Sequence, residues 1–321
     1  MNKWILVAAF AAFCIFEWYY IGLEPNEVPV IPGEDSSQNE APQSKQDLES
    51  QTIQNFHIID TKGQKKELDL WATEATKPMG TSEWTMQNVK AQFYSEESSY
   101  TVIGHSGLVD EIKKTMVIEG DVKLTSSNGF IFYTEKLSYD PHLRQILTED
   151  KVSLQGPPEE GEGRLYLEGI GLTVSMDTNL MVMKSHVKGH KTMSQNRVMN
   201  IASDRGEFSG KKKSVVFRHN VVIKIDKMKV RGNYAAFQYR DGVLDTLYMD
   251  GGIHMQDTDK TGSSGEALVY FREDKYVFRK KPFVTQDNNE LIGDEITIFN
   301  GGQRVQVRNA KVEYHDTEKK P

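Results

Sequence analysis

Beyond its first fifty residues the chain reads as all-β, on three observations. Apolar and polar residues alternate with a period of two in most segments. No stretch after Leu23 carries a 3.6-residue apolar period. Turn residues recur about every 8 to 15 positions, the spacing of short antiparallel strands. In Trp84–Tyr94 the alternation puts Val89, Ala91 and Phe93 on one face and Asn88, Lys90 and Gln92 on the other. A doubly wound sheet needs helices between its strands and is excluded.

The first element differs from the rest. Trp4 to Phe16 is uninterrupted apolar sequence, resuming after Glu17 as far as Leu23. About twenty helical residues span a hydrocarbon core of roughly 30 Å. Lys3 precedes the run, and Trp18, Tyr19 and Tyr20 suit its far interface. Residues 1–23 are therefore expected to be a transmembrane anchor with a cytoplasmic N-terminus. Cleavage after Ala9-Phe10-Ala11 would leave too short an apolar core for a signal peptide. Residues 24–50, with Pro25, Pro29, Pro32 and Pro42 among acidic and amide side chains, are expected to be a flexible linker.

From Gln51 the strands follow one another. Ile53 to Ile59 and Leu68 to Pro78 flank a turn at Gly63. Met116 to Gly156 reads as strand, turn, strand, turn, strand, with a two-residue hairpin turn expected at Asn128-Gly129, both in positive φ. Asp140-Pro141 makes the next break, since Pro donates no ladder hydrogen bond. The tag Gly120-Asp121-Val122 recurs as Asp150-Lys151-Val152, and further copies place anchors at Val187, Val221, Ile253, Pro282 and Val312. From Val122 onward the spacings are 30, 35, 34, 32, 29 and 30 residues. Each unit reads as strand, turn, strand, then tag, and must stack on its neighbours to bury its apolar face. Gly156–Gly163 is a loop insertion, and Gly189–Asn200 lacks clear alternation, so a domain boundary is expected near residue 190.

The composition narrows function by exclusion. A net charge of -7 argues against nucleic acid as the partner. The single cysteine, Cys14, excludes an internal disulfide and a cysteine metal site. His186 and His190 would stand about 13 Å apart on a strand, too far to share a metal. The basic stretch Gly206–Ser214 is one residue short of a phosphate loop and opens no helix. Gly104-His105-Ser106-Gly107 lacks the strand-to-helix context of a nucleophile elbow. Glu159 and Glu160 are expected in a polar loop with nothing to shift their pKa. Lys211–Lys213 and Arg279–Lys281 read as solvated turn and edge charges, with contact to lipid phosphates as the alternative. No catalytic residues, metal site or cofactor are indicated.

The segments FHIIDTKGQKKELDLWATEA, WTMQNVKAQFY, VIEGDVKL and GFIFYTEKLSYD resemble the LptC family, the bitopic inner-membrane component of lipopolysaccharide export. The shared features are Leu68, Leu70, Ala72 and Ala75, the Val89–Tyr94 strand, Gly120 with Val122, and Thr134, Leu137 and Tyr139. Residues 191–321 resemble the LptA, or OstA-like, bridge family through FSGKKKSVVFRHNVVI, YAAFQYRDGVLDTLYMDG and GDEITIFNGGQRVQVRNAKVEY. One LptC-like roll is usual, and this chain reads as carrying two. The resemblance implies two consecutive antiparallel β-jellyrolls ("β-taco" units), 51–190 and 191–321, in the periplasm behind the anchor.

It further implies a non-enzymatic lipid conduit. A lipid A-containing glycolipid would pass from the permease subunits of an ABC transporter along an apolar gap between the sheets. A periplasmic LptA-like bridge protein or an outer-membrane receptor would follow by edge-strand addition. Under that reading the groove is lined by Val89, Phe93, Ile118, Val122, Leu124, Phe130, Phe132, Val174, Met176, Val221, Ile223, Ile225, Phe237, Ile296, Ile298, Val305 and Val307. One strand per sheet from each unit would make the groove roughly 35 to 40 Å long. The alternative is a structural or adhesive β-repeat scaffold in which the same residues form a dry core.

Overall fold

The computed structural model describes residues 50–159, 162–193, 196–241, 243–286, 289–300 and 303–313. The expected anchor (1–23) and nearly all of the expected linker lie outside the described residues. Among those described, no helix is long and apolar enough to cross a membrane. The β region forms one compact unit.

Nine long strands come first: β1 (Ser50–Lys62), β2 (Lys65–Pro78), β3 (Glu83–Tyr94), β4 (Ser99–Asp110), β5 (Met116–Ser126), β6 (Ile131–Asp140), β7 (Gln145–Gln155), β8 (Tyr166–Ser175) and β9 (Leu180–Thr192). Each pairs antiparallel with the next. β10 (Val198–Ser203) and β11 (Arg205–Ser209) are halves of one course broken at Asp204, and both pair with β9 and with β12 (Ser214–Ile225). β13 (Met228–Arg240), β14 (Val243–Gln256) and β15 (Lys260–Tyr270) continue the meander, followed by a 3-10 turn at Phe271–Glu273. Three more broken courses close the series: β16 (Lys275–Arg279) with β17 (Phe283–Gln286), β18 (Asn289–Ile292) with β19 (Glu295–Phe299), and β20 (Arg304–Arg308) with β21 (Lys311–Glu313).

The repeated tag is what folds this ladder. It lies in the middle of a strand, not at the end of a unit as expected from sequence. Left-handed backbone occurs at Asn55, Asn88, Gly120-Asp121, His186, His219-Asn220, Gly251-Gly252 and Lys280-Lys281. They fall at the midpoints of alternate courses, β7 excepted, and the pairing register slips at the same level, as between Glu119 and Val122 or Arg218 and Val221. A residue in this conformation bends the strand sharply, and Gly, Asn and Asp enter it with least strain. The apolar residue that follows fills the crease. Val122, Val152, Val187, Val221 and Ile253 are each at most 1 % exposed, and Pro282 is buried.

Every course is thus bent in two and contributes one segment to each of two facing layers. Phe93, past the corner of β3, lies 4.6 Å ring to ring from Tyr139 on the opposite half of β6. One hydrophobic cluster runs without interruption from Phe56 to Ile298. Each thirty-residue unit therefore adds two strands to each layer, not one. The seventeen courses, counting each broken pair once, extend roughly 75 to 80 Å at about 4.8 Å per strand, twice the expected length. Residue 190 lies within β9, whose halves pair with β10 and β11, so the ladder passes through that region unbroken.

The turn after β5 also differs from expectation. Only Gly129 adopts positive φ (92°), while the Gly129 N–H donates to Ser126 O at 2.9 Å and the Ser126 N–H to Phe130 O at 2.9 Å. This is a three-residue loop ending in a left-handed glycine, not a two-residue turn with both positions left-handed. At the next break Asp140 Oδ1 accepts from the His142 and Leu143 N–H groups at 2.8 and 3.1 Å.

The corners carry a direct test. Gly251 has φ of 90°, and a Cβ there would stand 2.6 Å from Asn233 Cβ. Gly251→Ala is expected to destabilise the protein by about 1–3 kcal/mol in urea unfolding, from strain plus overpacking. Gly63→Ala, in a turn with nothing within 4 Å of the added Cβ, should lose only the strain part.

Candidate functional site

All seventeen candidate lining residues face the interior. Phe130, Val305 and Val307 are half-buried against the core cluster, and the rest are buried within it. In the first half of the chain they meet one another. The space bounded by Phe93, Val102, Met116, Ile118, Leu137, Tyr139 and Ile146 is about 10 Å³, barely the room one water needs. The apolar gap expected between the layers is filled there by side chains. Aromatic rings do much of the filling, as in the chain of contacts from Phe130 through Phe208 and Phe217 to Phe237, at 5.9, 6.4 and 5.8 Å.

Opposite the creases, the turns of the two layers meet along a polar seam. Arg144, after β6, binds Glu67 and Asp177 at 2.7 Å each and donates to the Tyr94 carbonyl at 3.2 Å. The Tyr100 hydroxyl donates to Asn179 Oδ1 at 3.0 Å and accepts from Ser98 Oγ at 3.0 Å. Lys211 reaches Glu97 at 2.9 Å. Farther along, Arg197 ties Asp226, Asp274 and the Tyr276 hydroxyl at 2.8, 3.1 and 2.9 Å. Three-way guanidinium contacts of this kind are geometrically specific, so the seam has a defined closed register.

Between those clasps the seam has an apolar opening. A cavity of about 260 Å³ lies among Phe130, Pro157, Leu165, Val215 and Tyr239, with Asn128 and Lys213 at its polar margin. The inserted loop after β7 forms one wall and is pinned onto β9. Gly156 N–H donates to Leu165 O at 2.8 Å and Gly163 N–H to Thr192 O at 2.8 Å. The central pin is Lys191, whose side chain is wholly buried. Its Nζ sits 2.8 Å from Glu159 and 2.9 Å from Glu162 and donates to the Gly163 carbonyl at 3.0 Å.

This overturns the sequence reading of Glu159. Burial pushes its carboxyl above the usual carboxylate range, against the pull of Lys191, and the adjacent Glu162 charge pushes the same way. Burial likewise pushes the Tyr239 phenol up, reinforced by both carboxylates. The cluster was missed because Glu159 and Lys191 are remote in sequence. One signal did exist: Lys191 shares strand parity with the inward Val187, which assigns it an interior position. Glu160 lies outside the described residues.

The other sequence motifs resolve into local contacts. His186 meets Ser185 Oγ at 3.1 Å, and His190 stacks on Tyr166 at 5.4 Å. Among the described residues no cluster of three His, Cys, Asp or Glu side chains could hold a metal. Arg279 is held by Glu295 at 2.7 Å and Lys280 by Glu266 at 3.0 Å, so neither is a free cation for phosphate. At one end of the ladder, β1 pairs only with β2 among the described residues and leaves Ile53 and Ile59 42 % and 49 % exposed.

The family model described as "Lipopolysaccharide-assembly, LptC-related" matches residues 7–193, more than half of the chain. The chain belongs to the LptC-related family. Residues 200–304 match a second family model, "LptA/(LptD N-terminal domain) LPS transport protein". This LptC-related chain therefore carries an LptA-like C-terminal domain, and the buried Lys191 lies just before the interval between the two matched ranges. No curated protein matches the chain. Among solved structures it is similar to LptH from Pseudomonas aeruginosa, "the LptA homologous periplasmic component of the conserved lipopolysaccharide transport device". That likeness is 16 % identical, covers 37 % of this chain and 95 % of the other, and has a TM-score of 0.34, a level that carries no argument.

The Lys191 cluster separates two substitutions of this LptC-related protein. Lys191→Met leaves two buried carboxylates without their cation and is expected to cost about 3–5 kcal/mol in urea unfolding. Glu159→Gln leaves Lys191 with one carboxylate and should cost markedly less. Because the folded pKa of Glu159 lies above its unfolded value, the fold disfavours the ionised form. The stability of the wild type relative to Glu159→Gln should therefore rise as pH falls toward the ordinary glutamate range. Unfolding of both proteins across a pH series checks the sign.

Proposed function

We propose that this chain is an inner-membrane-anchored conduit of lipopolysaccharide export, with both matched domains in the periplasm. Residues 1–23 anchor it by a single pass beside an ABC transporter, and 24–50 tether the β region. Residues 51–190 and 191–321 act as two rolls fused end to end, so one hand-over between stations is permanent and the next is held at high local concentration. The permease delivers a lipid A-containing glycolipid, and the acyl chains move along the interior while the saccharide stays outside. The chain performs no chemistry; the transporter supplies the energy.

The observation that carries this reading is the unbroken inward apolar file from Val89 to Val307, running the length of a ladder with a laced seam opposite its creases. Loading requires the layers to part along that seam. Each acyl methylene buried contributes about 0.8 kcal/mol, so a few chains offset the loss of many side-chain contacts. The edge of β1, with exposed Ile53 and Ile59, and the last courses β20 and β21 offer unpaired backbone for strand addition by neighbouring components.

A photo-crosslinking amino acid at inward Ile223 should form lipopolysaccharide adducts in cells, and one at outward Lys123 should not. Equal yields at the two sites would refute the interior path. If neither site yields adducts and the purified protein holds no lipid, the dry β-repeat scaffold is the better reading, favoured by the filled interior around Phe93 and Tyr139.

A further inference from the structure

The outer face of the layer built by the second halves of β9, β12 and β14 and the first halves of β13 and β15, together with β10 and β17, carries a feature that the interior reading leaves unused. Cross-strand register lines up two outward rows. One runs His190, Asn200, Lys224, Lys229, Gln256, Thr261. The other runs Lys188, Ala202, Val222, Arg231, His254, Ser263 and ends at Phe283. Lys224 stands directly opposite Lys229, with Arg231 two residues along the same strand. Like charges directly opposite on a sheet repel and destabilise it.

Nothing on the protein relieves that repulsion. Among the described residues Lys188, Lys224, Lys229 and Arg231 form no ion pair. The acidic groups of the adjoining turns are engaged elsewhere, Asp226 by Arg197 at 2.8 Å, Asp257 by the Thr258 N–H at 2.7 Å and Asp259 by Lys260 and Gln286 at 2.7 and 3.0 Å. Most cations in the rest of the β region are neutralised, as Arg144, Lys211, Arg279 and Lys280 are. On a chain of net charge -7, an unrelieved basic stripe stands out. The stripe is also concave: Lys229, Arg231, His254, Gln256, Ser263 and Phe283 line a surface groove of about 410 Å³.

We propose that this groove is a binding site for an anionic saccharide, lying outside the apolar interior. The cations match carboxylate or phosphate groups. The Gln256 amide and the Thr261 and Ser263 hydroxyls both donate and accept, as sugar hydroxyls do. The half-buried Phe283 ring offers an apolar surface beside them. A bare phosphate would use the cations and leave this polar and aromatic end idle. The site accepts the saccharide whether or not it is joined to a lipid, so it stands independently of the interior path.

The test uses the full chain in detergent micelles and a short oligogalacturonate, an anionic probe without acyl chains, in isothermal titration calorimetry at low salt. Binding is expected, weakening as salt is raised. A neutral malto-oligosaccharide of equal length should show none. Combined Lys224→Gln, Lys229→Gln and Arg231→Gln should weaken binding at least tenfold while the thermal midpoint stays or rises, because a repulsive cluster has been removed. Lys123→Gln with Lys212→Gln, which removes two cations elsewhere, should leave affinity unchanged. Unchanged affinity in the triple variant, equal loss in the control, or equal binding of the neutral sugar would each overturn the site. Displacement of the probe by inorganic phosphate at the same concentration would overturn its saccharide character.

Discussion

The whole arrangement hangs on a backbone constraint: a residue in left-handed conformation at the middle of alternate strands, with β7 the exception. A flat antiparallel meander of this length would expose an apolar face along all its courses. Bending each course at one level turns that face inward on itself. Most corner residues are Gly, Asn or Asp, which enter positive φ with least strain, while His186, His219, Lys280 and Lys281 are held there by the surrounding ladder. The apolar residue after each corner is not incidental. Without Val122, Val152, Val187, Val221 and Ile253 filling the crease, the two layers would meet only at their tips. Local backbone geometry and core packing are therefore one device, repeated about every thirty residues.

That device sets a tightly packed apolar crease on one side of the ladder against a polar seam on the other. The creases are apolar and tightly packed, and the opposite seam is closed by guanidinium, carboxylate and hydroxyl contacts such as those of Arg144 and Arg197. These pairs are part-buried, the Arg144 and Arg197 side chains being 18 % and 25 % exposed, and their polar groups can be taken up by water when uncovered. Under the proposed lipid path, parting the seam would expose polar groups first and leave the crease intact. The Lys191 cluster is the exception, a wholly buried ammonium between two carboxylates close to where the LptC-related and LptA-like ranges meet. Buried charge of this kind adds little net stability but is expensive to leave unpaired, so it holds the inserted loop in one place. Its position beside the cavity at Phe130 and Tyr239 fixes the wall that the inserted loop contributes to that cavity.

Much of this was legible in the residues. Alternation assigned each candidate lining residue to the inside, and Asn88, Lys90 and Gln92 to the other face, because side chains on a strand have only two directions to take. The recurrence of the tag revealed the repeat. Its meaning was misread, since Asn-Val or Gly-Ile in sequence resembles a strand end as much as a bend, and only pairing on both sides of it distinguishes the two. The groove length was halved for the same reason. Glu159 was placed in solvent because a loop rich in Pro, Gly and Glu normally is, and its partner lies on a different strand.

What the linear chain determined by itself was periodicity: all-β structure, thirty-residue units, the inward file, and membership of a lipopolysaccharide-assembly family. What only the tertiary structure decided was where remote segments meet. The seam partners of Arg144 and Arg197, the burial of Lys191 with Glu159, and the alignment of Lys224 with Lys229 all depend on register. Register is a relation between strands, set by where each one bends and pairs, and no single stretch of sequence contains it.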